Sequence, residues 1–418
     1  MVKYNKDGIV QCATLIGNNA LSNAYQDQTK TSITIDSSGN PWISGSYVNP
    51  TGFYVFSSVN PGGLQLISLT PIQPVTALNG RNGFIAKYSQ DLQTLLGFTT
   101  IGMEQVSTDV QITGIASYGT DVFVVGTAFN TSATPYTIKY NSCQVNPSAP
   151  PPFILIQSAT SSNVAPSTQI ATNFIAWYSS GCVFKKQVLI QSTSVISRSI
   201  DVDNVGSVYI TGTYYGSLGI NNSGPPTPSG LSGTLLPISG GSNPDGFIIK
   251  YTTTSTPSIS LDRATTIAKL KFPGTLTVDR SSSPNYVALT GIIPSGGIDF
   301  NNYASIGPPG VAIQTTPYGS LAGGVTSGDA FVAKYTTQGA AVWATAERGP
   351  SSDAGTGVTT DSDGNVVVCG LYRNGNLNVL DFASSAITTT LFGFLATIGV
   401  QDSFIAKYMK NTGSVLNA

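Results

Sequence analysis

Asp329-Ala330-Phe331-Val332-Ala333-Lys334-Tyr335 recurs along the chain with small changes. Asn82-Gly83-Phe84-Ile85-Ala86-Lys87-Tyr88, Asp245-Gly246-Phe247-Ile248-Ile249-Lys250-Tyr251 and Asp402-Ser403-Phe404-Ile405-Ala406-Lys407-Tyr408 are close copies. Asn173-Phe174-Ile175-Ala176-Trp177-Tyr178 is a worn one, and Met1-Val2-Lys3-Tyr4 matches the tail of another. Each copy runs through a polar turn into a second apolar run, as Tyr335 does through Thr336-Thr337-Gln338-Gly339 into Ala341-Val342-Trp343-Ala344. Polar turns with Gly between β-rich runs are the hairpin signal. A unit repeated at a fixed interval decides the architecture before any single element does.

A second repeated segment lies between these copies. Ile33-Thr34-Ile35-Asp36-Ser37-Ser38-Gly39-Asn40-Pro41-Trp42-Ile43-Ser44-Gly45 matches Ile200–Gly212 and Val358–Gly370 in register. Ile115–Gly126 and Leu276–Gly291 are worn copies. The Asp opens a turn by bonding its own backbone, and the Gly takes the positive φ. The Tyr of the first segment falls at 4, 88, 178, 251, 335 and 408, and the Asp (or Ser117) of the second at 36, 117, 203, 279 and 361. The two series interleave without a skip. Each unit of about 80 residues is thus four core strands plus one long connection. The connections run over 46–81, 127–172, 213–244, 292–328 and 371–401 and are rich in Gly, Pro, Ser and Thr. Loops this long in a compact domain are functional or carry hairpins of their own, and short extra strands are expected here. Tyr136-Thr137-Ile138-Lys139-Tyr140 is either a decayed extra repeat or a strand within the longest connection.

The paired segments, best seen in Asp329–Trp343 with Thr359–Gly370, resemble the SBBP-type β-propeller repeat. The likeness covers the strands of essentially the whole chain but not the long connections. It implies an all-β fold, a β-propeller of five blades; six or seven stay open if the connections build blades of their own. It also implies one domain over 1–418, with repeats near 15–100, 101–191, 192–268, 269–346 and 347–418. Residues 1–14 would supply a closing outer strand, Ile9–Thr14 lying beside Phe404–Tyr408. The resemblance points to bacterial exported proteins and to large DNA viruses, and so implies a place on a cell surface, outside the cell, or in a virion.

Composition narrows the chemistry. Charged residues make up 9% of the 418, far below the usual quarter, so the surface is wetted by hydroxyls and amides. That favours short strands over long solvated helices. A net charge of −1 leaves no footprint for nucleic acid. No apolar run is long enough to cross a bilayer, and the first residues carry no signal-peptide pattern. Cys12, Cys143, Cys182 and Cys369 are too scattered for a disulfide scaffold and read as buried thiols, a Cys143–Cys182 bridge being the one pairing considered. The chain has no His, which removes the Ser-His-Asp and Cys-His arrangements, and no zinc ligand set presents itself.

The remaining candidates are weak. Glu occurs only at Glu104 and Glu347, and a glycosidase needs two facing carboxylates. Asp36, Asp203, Asp279 and Asp361 sit in repeated turns, where a structural role is expected. Ser351–Gly357 has part of a sialidase Asp-box pattern but lacks its aromatic. Asp361-Ser362-Asp363-Gly364-Asn365 is oxygen-rich like a calcium loop, yet no bidentate Glu follows. Lys87, Lys250, Lys334 and Lys407 are expected to point outward while the adjacent Tyr buries its ring and keeps its hydroxyl at the rim. Sequons occur at Asn130-Thr131-Ser132 and Asn221-Asn222-Ser223. No catalytic residue, metal or cofactor is expected. Two functions survive: a non-enzymatic scaffold or adhesive protein whose partners are other proteins of a surface or particle assembly, and a glycan-binding or glycan-cleaving propeller. For either, Tyr47, Phe53, Tyr54, Tyr214, Tyr215, Tyr303 and Tyr372 are the loop-face aromatics expected to bind.

Overall fold

The computed structural model describes residues 1–13, 16–18, 31–48, 53–55, 81–92, 94–103, 108–130, 136–144, 154–156, 162–164, 171–192, 194–216, 218–220, 234–236, 244–254, 258–270, 272–281, 285–305, 314–321, 328–373, 377–382, 389–395 and 401–418. Among them all regular structure is β-strand, paired antiparallel, and there is no helix. Two compact units separate: Met1–Leu189 forms one, and Ile190–Asn222 with Leu231–Ala418 the other.

Five times the chain builds four strands in the order first-second-third-fourth. Sheet I is Ser32–Ile35, Pro41–Val48, Arg81–Tyr88 and Leu95–Met103. Sheet II is Thr108–Tyr118, Asp121–Asn130, Ala171–Tyr178 and Phe184–Gln191. The other unit holds sheet III (Ser194–Val202, Val208–Tyr215, Asp245–Thr254, Ser258–Ala268) and sheet IV (Phe272–Asp279, Tyr286–Ile293, Asp329–Thr336, Ala341–Arg348). Sheet V is Ala354–Thr360, Val366–Arg373, Gln401–Tyr408 and Val415–Asn417. The first sequence segment forms the third strand and the second segment the first two.

The two segments interlock at one cross-strand pair. Gly45 faces Phe84, Gly126 faces Phe174, Gly212 faces Phe247, Gly291 faces Phe331 and Gly370 faces Phe404. The Phe ring lies over the bare backbone of its partner, as expected where a strand glycine admits a close neighbour. A Cβ on Gly212 would stand 2.6 Å from Phe247 Cζ and press on the carbonyl of Ile196.

A second contact joins the Asp of the turn to the Lys of the third strand. In sheet I, Asp36 Oδ1 accepts the amides of Ser38 and Asn40, and Gly39 takes a φ of 79°. Its Oδ2 accepts Trp42 Nε1 and Lys87 Nζ, each at 3.1 Å. Lys87 also donates to the Ser180 carbonyl at 3.0 Å. In sheet V, Lys407 lies 2.7 Å from Asp361, whose Oδ1 accepts the amides of Asp363 and Asn365. In sheet IV the pair loosens to 4.0 Å, and Lys334 sits 4.3 Å over the Tyr286 ring and donates to the Lys410 carbonyl. Sheet III gives Asp203 to Tyr209 and Lys250 to Asp262 instead. Sheet II has Ser117 and Trp177 at these positions, and Asp121 takes over, accepting Trp177 Nε1 and Lys185 Nζ. The calcium-like loop is thus a hairpin turn whose carboxylate is taken up by amides and a lysine.

Several expectations need correcting. Lys87 and Lys334 are buried rather than outward. Both faces of an inner sheet are covered by neighbours, so the period-2 alternation moves a side chain from one buried face to another. For the same reason Tyr178, Tyr251 and Tyr335 keep their hydroxyls in the core, without a hydrogen-bond partner, instead of at the rim. Cys182 is buried, as expected, whereas Cys369 is exposed on sheet V. Val10–Ala13 pairs with Val2–Tyr4 rather than with Phe404–Tyr408, whose outer neighbour is the chain's own Val415–Asn417.

The connections carry the expected extra strands. Tyr136–Tyr140, from the connection of sheet II, pairs with the outer strand of sheet I. It is a strand of that connection and not a repeat. Ile298–Ser305, from sheet IV, joins the outer strand of sheet III, and Leu377–Phe382, from sheet V, joins that of sheet IV. Leu218–Ile220 pairs with Ile190 and Gln191 in the same way. The connections of sheets II, IV and V thus lengthen the sheet before their own and blunt an edge that would otherwise stay open.

Two stability outcomes follow from this frame. Gly212→Ala forces its Cβ against backbone that cannot yield, and urea unfolding of the second unit is expected to lose about 2 kcal/mol. Lys87→Met leaves the Asp36 carboxylate buried without its cation, an expected loss of about 3 kcal/mol from the first unit. The double variant with Asp36→Asn is expected to recover part of it; equal losses in single and double variants would show the pair to be idle.

Candidate functional site

Three of the seven expected binding aromatics turn out to be one structural position. Tyr47, Tyr214 and Tyr372 each stand two residues beyond the Gly of the interlock, because the second strand continues past that Gly. The alternation therefore returns them to the core, where they are buried. Tyr47 lies 6.4 Å from the Phe84 ring and Tyr214 6.3 Å from the Phe247 ring. Burial raises the hydroxyl pKa of both well above the usual value for tyrosine. Tyr215, the next residue, points the other way and is 45% exposed. The backbones of Phe53 and Tyr54 pair with Asn18 and Gly17, and Tyr303 pairs with Thr315; their side chains lie outside the described residues. The seven aromatics are therefore not one surface. Glu104 and the sequon residues Thr131, Ser132 and Asn221–Ser223 also lie outside the described residues.

The group that sequence reasoning passed over is a set of carboxyls at the link between sheets IV and V. Glu347 and Asp353 are fully buried, and Asp329 nearly so. Tyr408 donates its hydroxyl to Glu347 Oε1 at 2.6 Å, while Glu347 Oε2 has no hydrogen-bond partner. Asp353 accepts the Gly349 amide on Oδ2 at 2.5 Å and the Arg373 amide on Oδ1 at 3.4 Å. Arg348 Nε stands 3.7 Å from Asp329 Oδ2. Burial pushes the Glu347 carboxyl up to about 7, opposed by the Tyr408 bond and reinforced by Asp353. Burial likewise raises Asp353 to about 7 against its two amide bonds, with Asp329 adding to the rise.

The signal for Glu347 lies in the repeat. It faces Ala330 across the strands, just as Ile101 faces Gly83 and Ile267 faces Gly246. Those two isoleucines belong to the hydrophobic core that also holds the next sheet's Tyr178 or Tyr335. One repeat thus has an acid where its sisters have Ile, and there the repeat tyrosine finds a hydroxyl acceptor. Strongly shifted carboxyls mark functional sites when they line a cleft. Here neither carboxyl reaches solvent, and burial is the largest cause of both shifts. Among the described residues no group of three or more His, Cys, Asp or Glu is arranged to hold a metal ion.

No family model matches the sequence, and no curated protein matches it.

The carboxyls dictate a pH profile. Both are raised in the folded state, so their stabilisation is present below the ordinary carboxylate range and is lost as pH rises towards about 7. Asp36 behaves oppositely. Burial pushes it up, but bonds from Trp42, the Asn40 amide and Lys87 outweigh that and hold it low, so its contribution is lost on the acid side. Thermal melts of the wild-type chain should show the second unit weakening by about 3 kcal/mol per raised carboxyl between pH 4.5 and 7.5. Glu347→Gln should remove its share of that slope; an unchanged slope would place the titration elsewhere.

Proposed function

We propose that the chain is a β-propeller of five blades acting as a non-enzymatic scaffold or adhesive protein, with other proteins of a surface or particle assembly as its partners. The observation that carries this is the division of labour within each repeat. The residues that recur, the Phe over Gly and the Asp with its lysine or ring donor, are spent on holding strands together. The longest stretches without a recurring residue pattern are the connections. Five sheets of one strand order are the parts of a ring in which few edges stay open. The two carboxyls with acid-base character are sealed in the core, which speaks against hydrolysis. Exposure of the protein at a cell surface or in a virion belongs to this proposal, as do the protein partners.

The glycan reading keeps one foothold, the exposed ring of Tyr215. Stacking of a sugar on it needs no catalytic group.

Electron microscopy of the isolated chain is expected to give discs with five lobes; two unconnected lobes would end the ring. On a panel of glycosides no turnover is expected, and any turnover abolished by a point substitution in the protein would reverse the functional half. Glycan-array binding lost in Tyr215→Ala would favour the second reading.

A further inference from the structure

Sheet III departs from the repeat beside the lysine of its third strand. Lys250 faces Arg263 on the fourth strand, where Lys87 faces Gly97 and Lys334 faces Trp343. The register then shifts, and the extra residue of the bulge is Asp262. At the same shift sheets I, IV and V carry Leu96, Val342 and Leu416. A bulge re-aims the side chain it carries, and here that side chain is an acid among cations. Asp262 Oδ2 lies 3.0 Å from Lys250 Nζ, and its Oδ1 stands 3.7 Å from Arg263 Nε. Lys250 is thus turned to its own sheet, whereas Lys87 and Lys334 donate across to carbonyls of the following one, Ser180 and Lys410.

The turn that meets this place on the following sheet differs as well. Between sheets I and II the turn residue is Cys182, at a φ of 58°, and a Cβ on Gly97 would stand 2.5 Å from its Sγ. The thiol fills the space that Gly97 leaves. Between sheets IV and V the indole of Trp343 reaches across, with Nε1 bonded to the Lys410 carbonyl at 3.1 Å. Between sheets III and IV the residue corresponding to Cys182 is Gly339, at a φ of 82°; its amide donates to Thr336 as that of Cys182 donates to Ser179. With neither thiol nor indole at this point, a cavity opens. It encloses about 290 Å³, part of it open to solvent, at the lower end of the range for small-molecule sites. Ile248, Val287 and the ring of Tyr209 line it with Lys250, Arg263 and Gly339. The first three are buried, while the side chains of Lys250 and Arg263 are partly exposed. Both sheets belong to the second unit, so the cavity is complete within it.

We propose that this cavity is a binding site for a small aliphatic carboxylate. Charge sets the head group. Lys250 and Arg263 stand against the one carboxylate of Asp262. Asp203 does not add a second, because its oxygens are taken by the Tyr209 hydroxyl at 3.1 Å and by the amides of Val205 and Ser207. A guanidinium at the edge of a cavity is suited to a carboxylate, whose two oxygens match its planar donors. The apolar lining sets the tail, which lies against Ile248 and Val287 while the head stays with Arg263 and Lys250 at the partly exposed side. A mostly apolar wall with a few placed polar groups is the usual make-up of such sites. The inference does not rest on ring closure or on the protein partners of the proposed function.

The probe is butyrate, titrated onto the full chain and followed by saturation-transfer NMR on the ligand signals. Saturable binding with a Kd on the order of millimolar is expected for a ligand of this size. Butan-1-ol, with the same chain and no charge, should give no saturable signal, and acetate, with no tail, should bind more weakly. Arg263→Gln should weaken butyrate roughly tenfold through the lost charge-assisted bond. Gly339→Cys copies the filled turn of sheet II; it should keep its circular dichroism and lose butyrate. Absence of saturable binding by the folded wild-type chain overturns the proposal. So does acetate binding as tight as that of butyrate, or butyrate binding that both variants leave intact. If Gly339→Cys unfolds, Arg263→Gln decides alone, and unchanged affinity in that variant overturns the proposal.

Discussion

Everything in this fold leans on a ring of phenylalanine lying across a glycine of the next strand. The contact recurs in all five sheets between the second and third strands. It sets register, because a one-residue slip would bring a side chain under the ring and turn every alternate residue to the wrong face. It also explains why the Gly cannot be replaced by another small residue, since the space a Cβ needs already holds Phe carbons and carbonyl oxygen. The Asp–Lys contact adds a second tie across the same strands, and its acceptor carbonyls, at Ser180 and Lys410, lie on the sheet that follows. One tie fixes strands within a sheet, and the other reaches from sheet to sheet.

Burial on both faces has a cost that the sequence distributes unevenly. The repeat tyrosines bring a hydroxyl into the core. For Tyr178, Tyr251 and Tyr335 it has no hydrogen-bond partner. A ring of that size contributes enough apolar burial to outweigh one poorly served hydroxyl. At Tyr408 the balance is struck differently, with Glu347 in the place of an isoleucine. The acid relieves one orphaned donor and creates a buried carboxyl that favours its neutral form. Asp353 repeats the compromise a few residues on, held by two backbone amides. Both carboxyls lie too deep to reach solvent.

The connections are where the repeats differ, yet they are not idle loops. Their hairpins extend the outer strand of the preceding sheet, so variation in sequence becomes variation along a sheet's outer edge. The N-terminal hairpin shares the bulge, the turn and the lysine bond of the repeats, but its Tyr4 is exposed where Tyr88 and Tyr178 are buried. That contrast measures how much of each side chain's environment is supplied by the strand beside it.

Local chemistry made the strands and turns legible from the sequence alone. Gly39, Gly206 and Gly364 take positive φ, and Asp36, Asp203 and Asp361 bond the amides after them, because these preferences act within five residues. Tertiary structure alone decided which side of a strand is covered. Tyr47, Tyr214 and Tyr372 stand beyond the last recognisable motif residue, and only the continued pairing of the strand shows that they face the core. Lys87 and Lys334 read as outward because alternation implies one wet face, a premise that fails when both faces are packed. Glu347 and Asp353 could not be valued from sequence, since a carboxyl's acidity depends on the water and the charges around it. Those are fixed by residues 61 and 20 positions further along, Tyr408 and Arg373, whose places are set only when the sheets have stacked.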